Sequence, residues 1–186
     1  MPDSPVLLIM DVQRGTVDRF PGDDGYLDRL SGAITAARAA SVPVVYVVVG
    51  FRPGYPEVSP RNKTFTALAA SGGLAEGSPD REIHPAVAPD PGDPVVTKRR
   101  VSAFTGSDLD VLLRGLGADT LVLTGIATSG VVLSTLRQAA DLDYRLVVLS
   151  DGCLDGDPEV HRVLTEKVFP RQAEVITTAE WTARLG

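Results

Sequence analysis

At 186 residues the chain suits one domain spanning 1–186. A globule of this size buries roughly 70% of the surface its unfolded chain exposes, so it needs neither a disulfide nor a metal staple. With 44% hydrophobic and 23% charged residues, the composition is ordinary for a folded protein and wrong for disorder. A formal net charge of -6 speaks against a nucleic-acid backbone as the main partner, and its plainer reading is that mild acidity only serves solubility.

In chain order, the apolar run behind Met1-Pro2-Asp3-Ser4-Pro5 stops at Asp11. No signal peptide is expected from this start, and nothing nears the roughly 20 residues of a membrane span, so no membrane partner is expected either. Val6-Leu7-Leu8-Ile9-Met10 predicts a strand buried on both faces. Leu27, Leu30, Ile34 and Ala37 then recur at helical spacing, ending near Ser41. Val44 to Val49 is a second, β-branched strand and Val95-Val96-Thr97 a shorter third. Ser107 reads as an N-cap, with Leu109, Leu112, Leu113 and Leu116 on one helix face and Gly117 closing it. Thr120 to Leu123 is the next strand, and a helix runs from about Ser129 to Leu142. Arg145 to Leu149 leads into a helix from Pro158 to about Phe169. Glu174-Val175-Ile176 is a last strand, and a short helix carries Trp181 and Leu185. Alternating strands and helices predict an α/β protein, a three-layer α/β/α sandwich around a six-stranded, mostly parallel, Rossmann-like sheet.

The stretch from Gly50 to Pro94 breaks this rhythm. It holds eight of the fourteen prolines and, beyond Phe65 to Ala69, no strong helical period. A long, stiff loop reads as a wall over the carboxyl edge of the sheet, where open parallel sheets bind ligands.

Three polar positions follow predicted strands: Asp11, Lys98, and the turn Gly125-Ile126-Ala127-Thr128-Ser129-Gly130. A lysine beside a carboxylate depresses its pKa and orients it, which suits proton transfer. A structural salt bridge at a loop base is the alternative. The amides of the turn suit an oxyanion. Gly130 is followed by Val131-Val132, which rules out a phosphate loop, and Asp11-Val12-Gln13-Arg14-Gly15 lacks dinucleotide-fold glycines.

Leu8-Ile9-Met10-Asp11-Val12-Gln13, Lys98-Arg99-Arg100-Val101-Ser102-Ala103-Phe104 and Leu123-Thr124-Gly125-Ile126-Ala127-Thr128 closely resemble the three signature blocks of isochorismatase-like hydrolases. Asp141 to Arg145 and Ser150-Asp151-Gly152-Cys153 resemble that family too, in the same order along nearly the whole chain. The resemblance implies a six-stranded parallel sheet between helices and a symmetric homodimer or larger homo-oligomer. Amidase members of the family use an Asp, a Lys and a Cys nucleophile. By position the first two map onto Asp11 and Lys98, and the resemblance also implies a cis peptide between Ile126 and Ala127, with the Ala127 and Val131 amides as oxyanion hole.

At the nucleophile position stands Val131, which cannot attack a substrate, so the thioester route is excluded there. Family members that cleave a vinyl ether also lack the cysteine but carry a small glycine, whereas Val131 adds an apolar wall. Cys153, the only cysteine, reads as a buried core residue and fits a reducing cytoplasm. Nicotinamidase-like members carry an Asp and histidines after the second strand. Here that loop has no histidine, while His84 and His161 stand apart, the latter on a helix that looks solvent-facing. No metal and no other cofactor is expected. Phe51, Arg52, Tyr55 and Phe104 suit a small planar or anionic substrate, with Gln13 and Thr128 beside them, although Arg52 equally suits a pair with Glu57 or a partner subunit. Thr128, Ser129 and Ser134 lack an adjacent base in sequence, so helix capping by Thr128 or Ser129 is the expected role.

The expectation is therefore a metal-independent hydrolase of a small molecule, using Asp11 and Lys98 without a covalent intermediate. A catalytically silent binding homologue is the alternative, and a nucleotide-binding module a third.

Overall fold

Among the described residues the apolar runs form six strands, β1 (Pro5–Met10), β2 (Val44–Val49), β3 (Val95–Lys98), β4 (Thr120–Ile126), β5 (Arg145–Leu154) and β6 (Glu174–Ile176). In the computed structural model they make one sheet in the order β3-β2-β1-β4-β5-β6, every pairing parallel. Residues 4–20 and 23–186 are described, so the Met1-Pro2-Asp3 start discussed above lies outside them. Successive residues of β1 show why the run is continuously apolar. Leu8 and Met10 pack with Val47, Leu113 and Leu136 on one face, while Leu7 and Ile9 pack with Leu30, Ile34 and Trp181 on the other. Both faces are covered, as parallel sheets require.

The covering helices are α1 (Arg14–Val17), α2 (Tyr26–Ala39), α3 (Lys63–Ala70), α4 (Leu109–Gly115), α5 (Leu133–Asp141), α6 (Pro158–Val163) and α7 (Thr178–Ala183). Helix α2 buries Tyr26, Leu30, Ala33, Ile34 and Ala37, and Leu27 only packs at its margin. Helix α4 starts one residue later than its sequence signal, flanked by Asp108. The Ser107 hydroxyl still accepts from the Leu109 amide at 3.3 Å. Leu109 and Leu113 are buried but Leu116 is exposed, because Gly117, at φ 66°, ends the helix there. The segment predicted as one helix from Ser129 opens instead with a π turn over Thr128–Val132. Neither Thr128 nor Ser129 caps it with a side chain. Likewise α6 runs into a π turn at Leu164–Val168 and a tight turn at Phe169–Arg171. Thr177 and Glu180 bond reciprocally across the start of α7, which carries buried Trp181, and Leu185 lies beyond its end.

The proline-rich stretch does form a wall. Helix α3 and two short 3-10 turns carry it, around a small apolar cluster of Val49, Phe51, Phe65 and Leu74. Among the described residues no helix is long and apolar enough to cross a membrane.

Candidate active site

The chain leaves β1 towards β2 and β3 on one side and returns through β4 to β5 and β6 on the other. The crevice where the order reverses lies beyond the ends of β1 and β4, the place where such sheets bind ligands. Asp11 sits at one lip and the Ile126–Ala127 peptide, which is cis, at the other. Gly125 makes this approach possible: its φ is 136°, and a Cβ there would stand 2.1 Å from the Met10 carbonyl oxygen.

Asp11 follows β1 in the left-handed region, φ 56°, which aspartate tolerates better than most residues. Its amide donates to the Val47 carbonyl at 2.8 Å, anchoring the turn to β2. Lys98, the last residue of β3, is 2% exposed. Its Nζ lies 2.8 Å from Asp11 Oδ2 and donates to the Arg100 carbonyl at 3.0 Å. The second oxygen, Asp11 Oδ1, is buried and has no hydrogen-bond partner among the described residues. Burial pushes the Asp11 carboxyl above its ordinary pKa, outweighing the pull of Lys98. The depressed pKa expected of a lysine-paired carboxylate is thus reversed, because the pair sits out of water.

Asp11, Lys98, Ile126, Ala127 and Val131 share a cavity of about 190 Å³. Its walls are mainly apolar, with Phe20, Phe65, Leu68 and Leu74 beside Val131 in the lining, and Thr16, Thr64 and Arg19 contribute polar groups. Val131 is buried in the wall. Sequence reasoning missed most of this lining. Phe65 and Leu68 gave a periodic signal that belonged to α3, and Leu74 carried no signal at all.

The six side chains expected to touch substrate lie elsewhere. Gln13 is fully buried and clamps backbone: its Oε1 accepts from the Val49 amide and its Nε2 donates to the Val49 and Arg81 carbonyls, at 2.8–2.9 Å. Phe51 is fully buried against Tyr55 and Phe65, with ring centroids 5.8 and 5.3 Å away. Tyr55 donates its hydroxyl to the Gly73 carbonyl at 3.0 Å. Arg52 pairs with Glu57 at 2.6 Å, so the pairing reading of that residue holds. Phe104 packs in the core beside Tyr144. Thr128 is fully buried, its Oγ1 2.8 Å from Nδ1 of His161.

That last contact corrects the reading of His161 as an isolated, solvent-facing residue. Half-buried on α6, it ties this helix to the π turn, and burial lowers its pKa against the raising effect of Asp155. Cys153 is buried, and burial drives its thiol pKa far up, as suits an inert core residue. No group of three or more His, Cys, Asp or Glu among the described residues could hold a metal ion.

The isochorismatase domain model matches residues 5–180. The chain is 35% identical to the ureidoacrylate amidohydrolase RutB of Methylobacterium radiotolerans, over 100% of this chain and 81% of that protein. Among solved structures it is similar to an isochorismatase family protein from Burkholderia thailandensis (TM-score 0.83, 30% identity, covering 100% of this chain and 97% of that one). A second isochorismatase family protein, from Desulfovibrio vulgaris, superposes with TM-score 0.87 at 26% identity, covering 98% of both chains.

Proposed function

Because the chain belongs to the isochorismatase family and is related to hydrolases within it, we propose that it hydrolyses a small molecule in the Asp11–Lys98 cavity without a covalent enzyme intermediate. One observation carries this reading: Asp11 presents a buried oxygen, unpartnered among the described residues, in a cavity that Val131 also lines. Lys98 holds Oδ2, so proton transfer falls to Oδ1. A carboxyl with an upward-shifted pKa exchanges protons more readily near neutrality than a solvated one. For an amide-type C–N bond, the class named for the amidohydrolase relative, Asp11 takes a proton from water as its oxygen bonds to carbon. The oxyanion so formed rests on the Ala127 and Val131 amides. Asp11 then returns the proton to the leaving nitrogen as the C–N bond breaks. Val131 keeps bulk water from the reacting carbon and supplies no nucleophile. The lone buried Cys153 supports a reducing, cytoplasmic setting, and the family resemblance supports a homo-oligomer.

The test is turnover of a panel of small amides, N-carbamoyl acids and vinyl ethers by wild type and by Asp11→Asn. Wild-type hydrolysis that disappears in the variant is the expected result, and a variant as active as wild type refutes the role of Asp11. Val131 also favours a second reading, a binding homologue that has lost its nucleophile. Under that reading wild type is inert and Val131→Cys gains thiol-dependent amidase activity.

A further inference from the structure

Leu74 holds a backbone conformation that its side chain does not favour. Its φ is 57°, in the left-handed region, where a leucine Cβ crowds the following carbonyl oxygen and glycine has nothing to crowd. Hydrogen bonds tie the segment on both sides. The Leu74 amide donates to Asp80 at 2.8 Å, the Phe51 amide donates to the Leu74 carbonyl at 3.0 Å, and the Glu76 amide donates to the Phe51 carbonyl at 2.8 Å. Asp80 is a firm anchor. Burial alone would raise its carboxyl pKa, but the Ser78 hydroxyl, the Leu74 amide and the Arg19 charge hold it below its ordinary value. These bonds fix the main chain whatever the side chain, so they leave the choice of leucine over glycine unexplained.

The side chain faces two places. It is 3% exposed, packs with Val49, Phe51 and Phe65, and lines the cavity that holds Asp11 and Lys98. Residues kept in an unfavoured conformation gather at ligand sites. At about 190 Å³ the space is smaller than the roughly 300–1,000 Å³ of pockets for drug-sized ligands, so one leucine is a large part of its boundary. The charges around it are matched: Lys98 stands 2.8 Å from Asp11, and Arg19 acts on the ionised Asp80. Beyond the acid–amine pair a ligand meets mainly carbon, from Phe20, Phe65, Leu68, Leu74 and Val131.

We propose that Leu74 sets the size limit of the cavity, which takes a short, uncharged aliphatic tail running from the reacting group at Asp11 to the Leu74 side chain. This rests on the hydrolase reading for the group at Asp11 and adds the tail, which that reading leaves open. Each methylene of the tail that leaves water is worth about fourfold in affinity, until the next one collides with leucine. Leu74→Ala removes three carbons and so makes room for two or three more.

Titration of linear primary amides, from ethanamide to octanamide, followed by protein NMR shifts tests it. In wild type and in Asp11→Asn, affinity should rise about fourfold per carbon to a limiting length and fall beyond it. Leu74→Ala should move that limit out by two or three carbons, while Leu74→Met, of similar volume, should keep it within one carbon of wild type. Leu74→Gly relieves the main chain at φ 57° and gives at least the same enlargement, should the alanine variant melt too low to titrate. Succinamate and 4-aminobutanamide, which put a charge at the end of the tail, should each bind about tenfold more weakly than butanamide. A purely packing role for Leu74 lowers the melting temperature and leaves the length limit where it was. That outcome, a wild-type series without a limit or without binding, or succinamate bound as tightly as butanamide each overturn the proposal. The hydrolase reading fails separately, through undiminished turnover in Asp11→Asn, whatever the length series gives.

Discussion

Two charges share a place almost without water, Asp11 at 6% and Lys98 at 2% exposure. Removing one partner of such a pair strands the other. Lys98→Met should therefore cost about 3–5 kcal/mol in urea denaturation, and the double variant Asp11→Asn/Lys98→Met should recover much of that loss. The pH dependence follows from the direction of the Asp11 shift. With a folded pKa above the unfolded 3.8, the native state holds this proton after the unfolded chain has released it. The stability contributed by Asp11 is full below pH 3.8 and declines as pH rises through the folded value. Stability measured from pH 3.8 upward should thus fall in wild type relative to Asp11→Asn, and parallel curves would contradict the shift. The pair was legible in the sequence because both residues interrupt apolar runs at strand ends. The direction of the shift was not, since it depends on how far the strands bury the pair.

The turn after β4 is held from outside by a different element. His161 on α6 meets the fully buried Thr128 hydroxyl at 2.8 Å, and the Ser129 amide donates to Asp155 at 2.7 Å. His161→Ala leaves a buried hydroxyl unsatisfied and should cost about 1–3 kcal/mol. Since burial lowers the His161 pKa below 6.5, the unfolded chain takes up this proton first as pH falls. Its stability contribution is full above pH 6.5 and is lost as the solution is acidified towards the folded value. His161→Gln should remove that segment of the pH–stability curve, and an unaltered curve would deny the contact its weight. No sequence signal marks this pair, because His161 lies within α6 rather than at a strand end, and only packing brings it to Thr128. The same limit misplaced Phe51 and Tyr55. An aromatic cluster after a strand reads alike whether its rings face a ligand or one another, and here Phe65 completes a small core with Phe51. Elements with their own periodicity were recovered, and so was the Asp11–Lys98 pair at its strand ends; the Thr128–His161 contact and the packing of Phe51 on Phe65 were not.

Across the whole molecule, the two halves of the sheet meet along β1 and β4, and the site exists because they meet closely. Sequence patterning revealed the six strands, since doubly buried strands are continuous runs, but the order that sets Asp11 opposite the Ile126–Ala127 turn comes from the crossovers. Two glycines test how much closeness matters. At Gly125 a Cβ would meet the Met10 carbonyl oxygen at 2.1 Å and its carbonyl carbon at 2.9 Å, on backbone already at φ 136°. Main chain in a central strand cannot retreat without loosening the β1–β4 ladder. Gly125→Ala should therefore cost about 3–5 kcal/mol and displace Asp11 relative to the turn. At Gly50 a Cβ would meet the Arg81 side chain at 2.2 Å, nominally as severe, yet that guanidinium can swing towards solvent. Gly50→Ala should cost only about 1 kcal/mol and leave binding at the cavity intact. Urea denaturation of both variants checks the contrast: equal losses would mean that the crevice tolerates separation of its two strands.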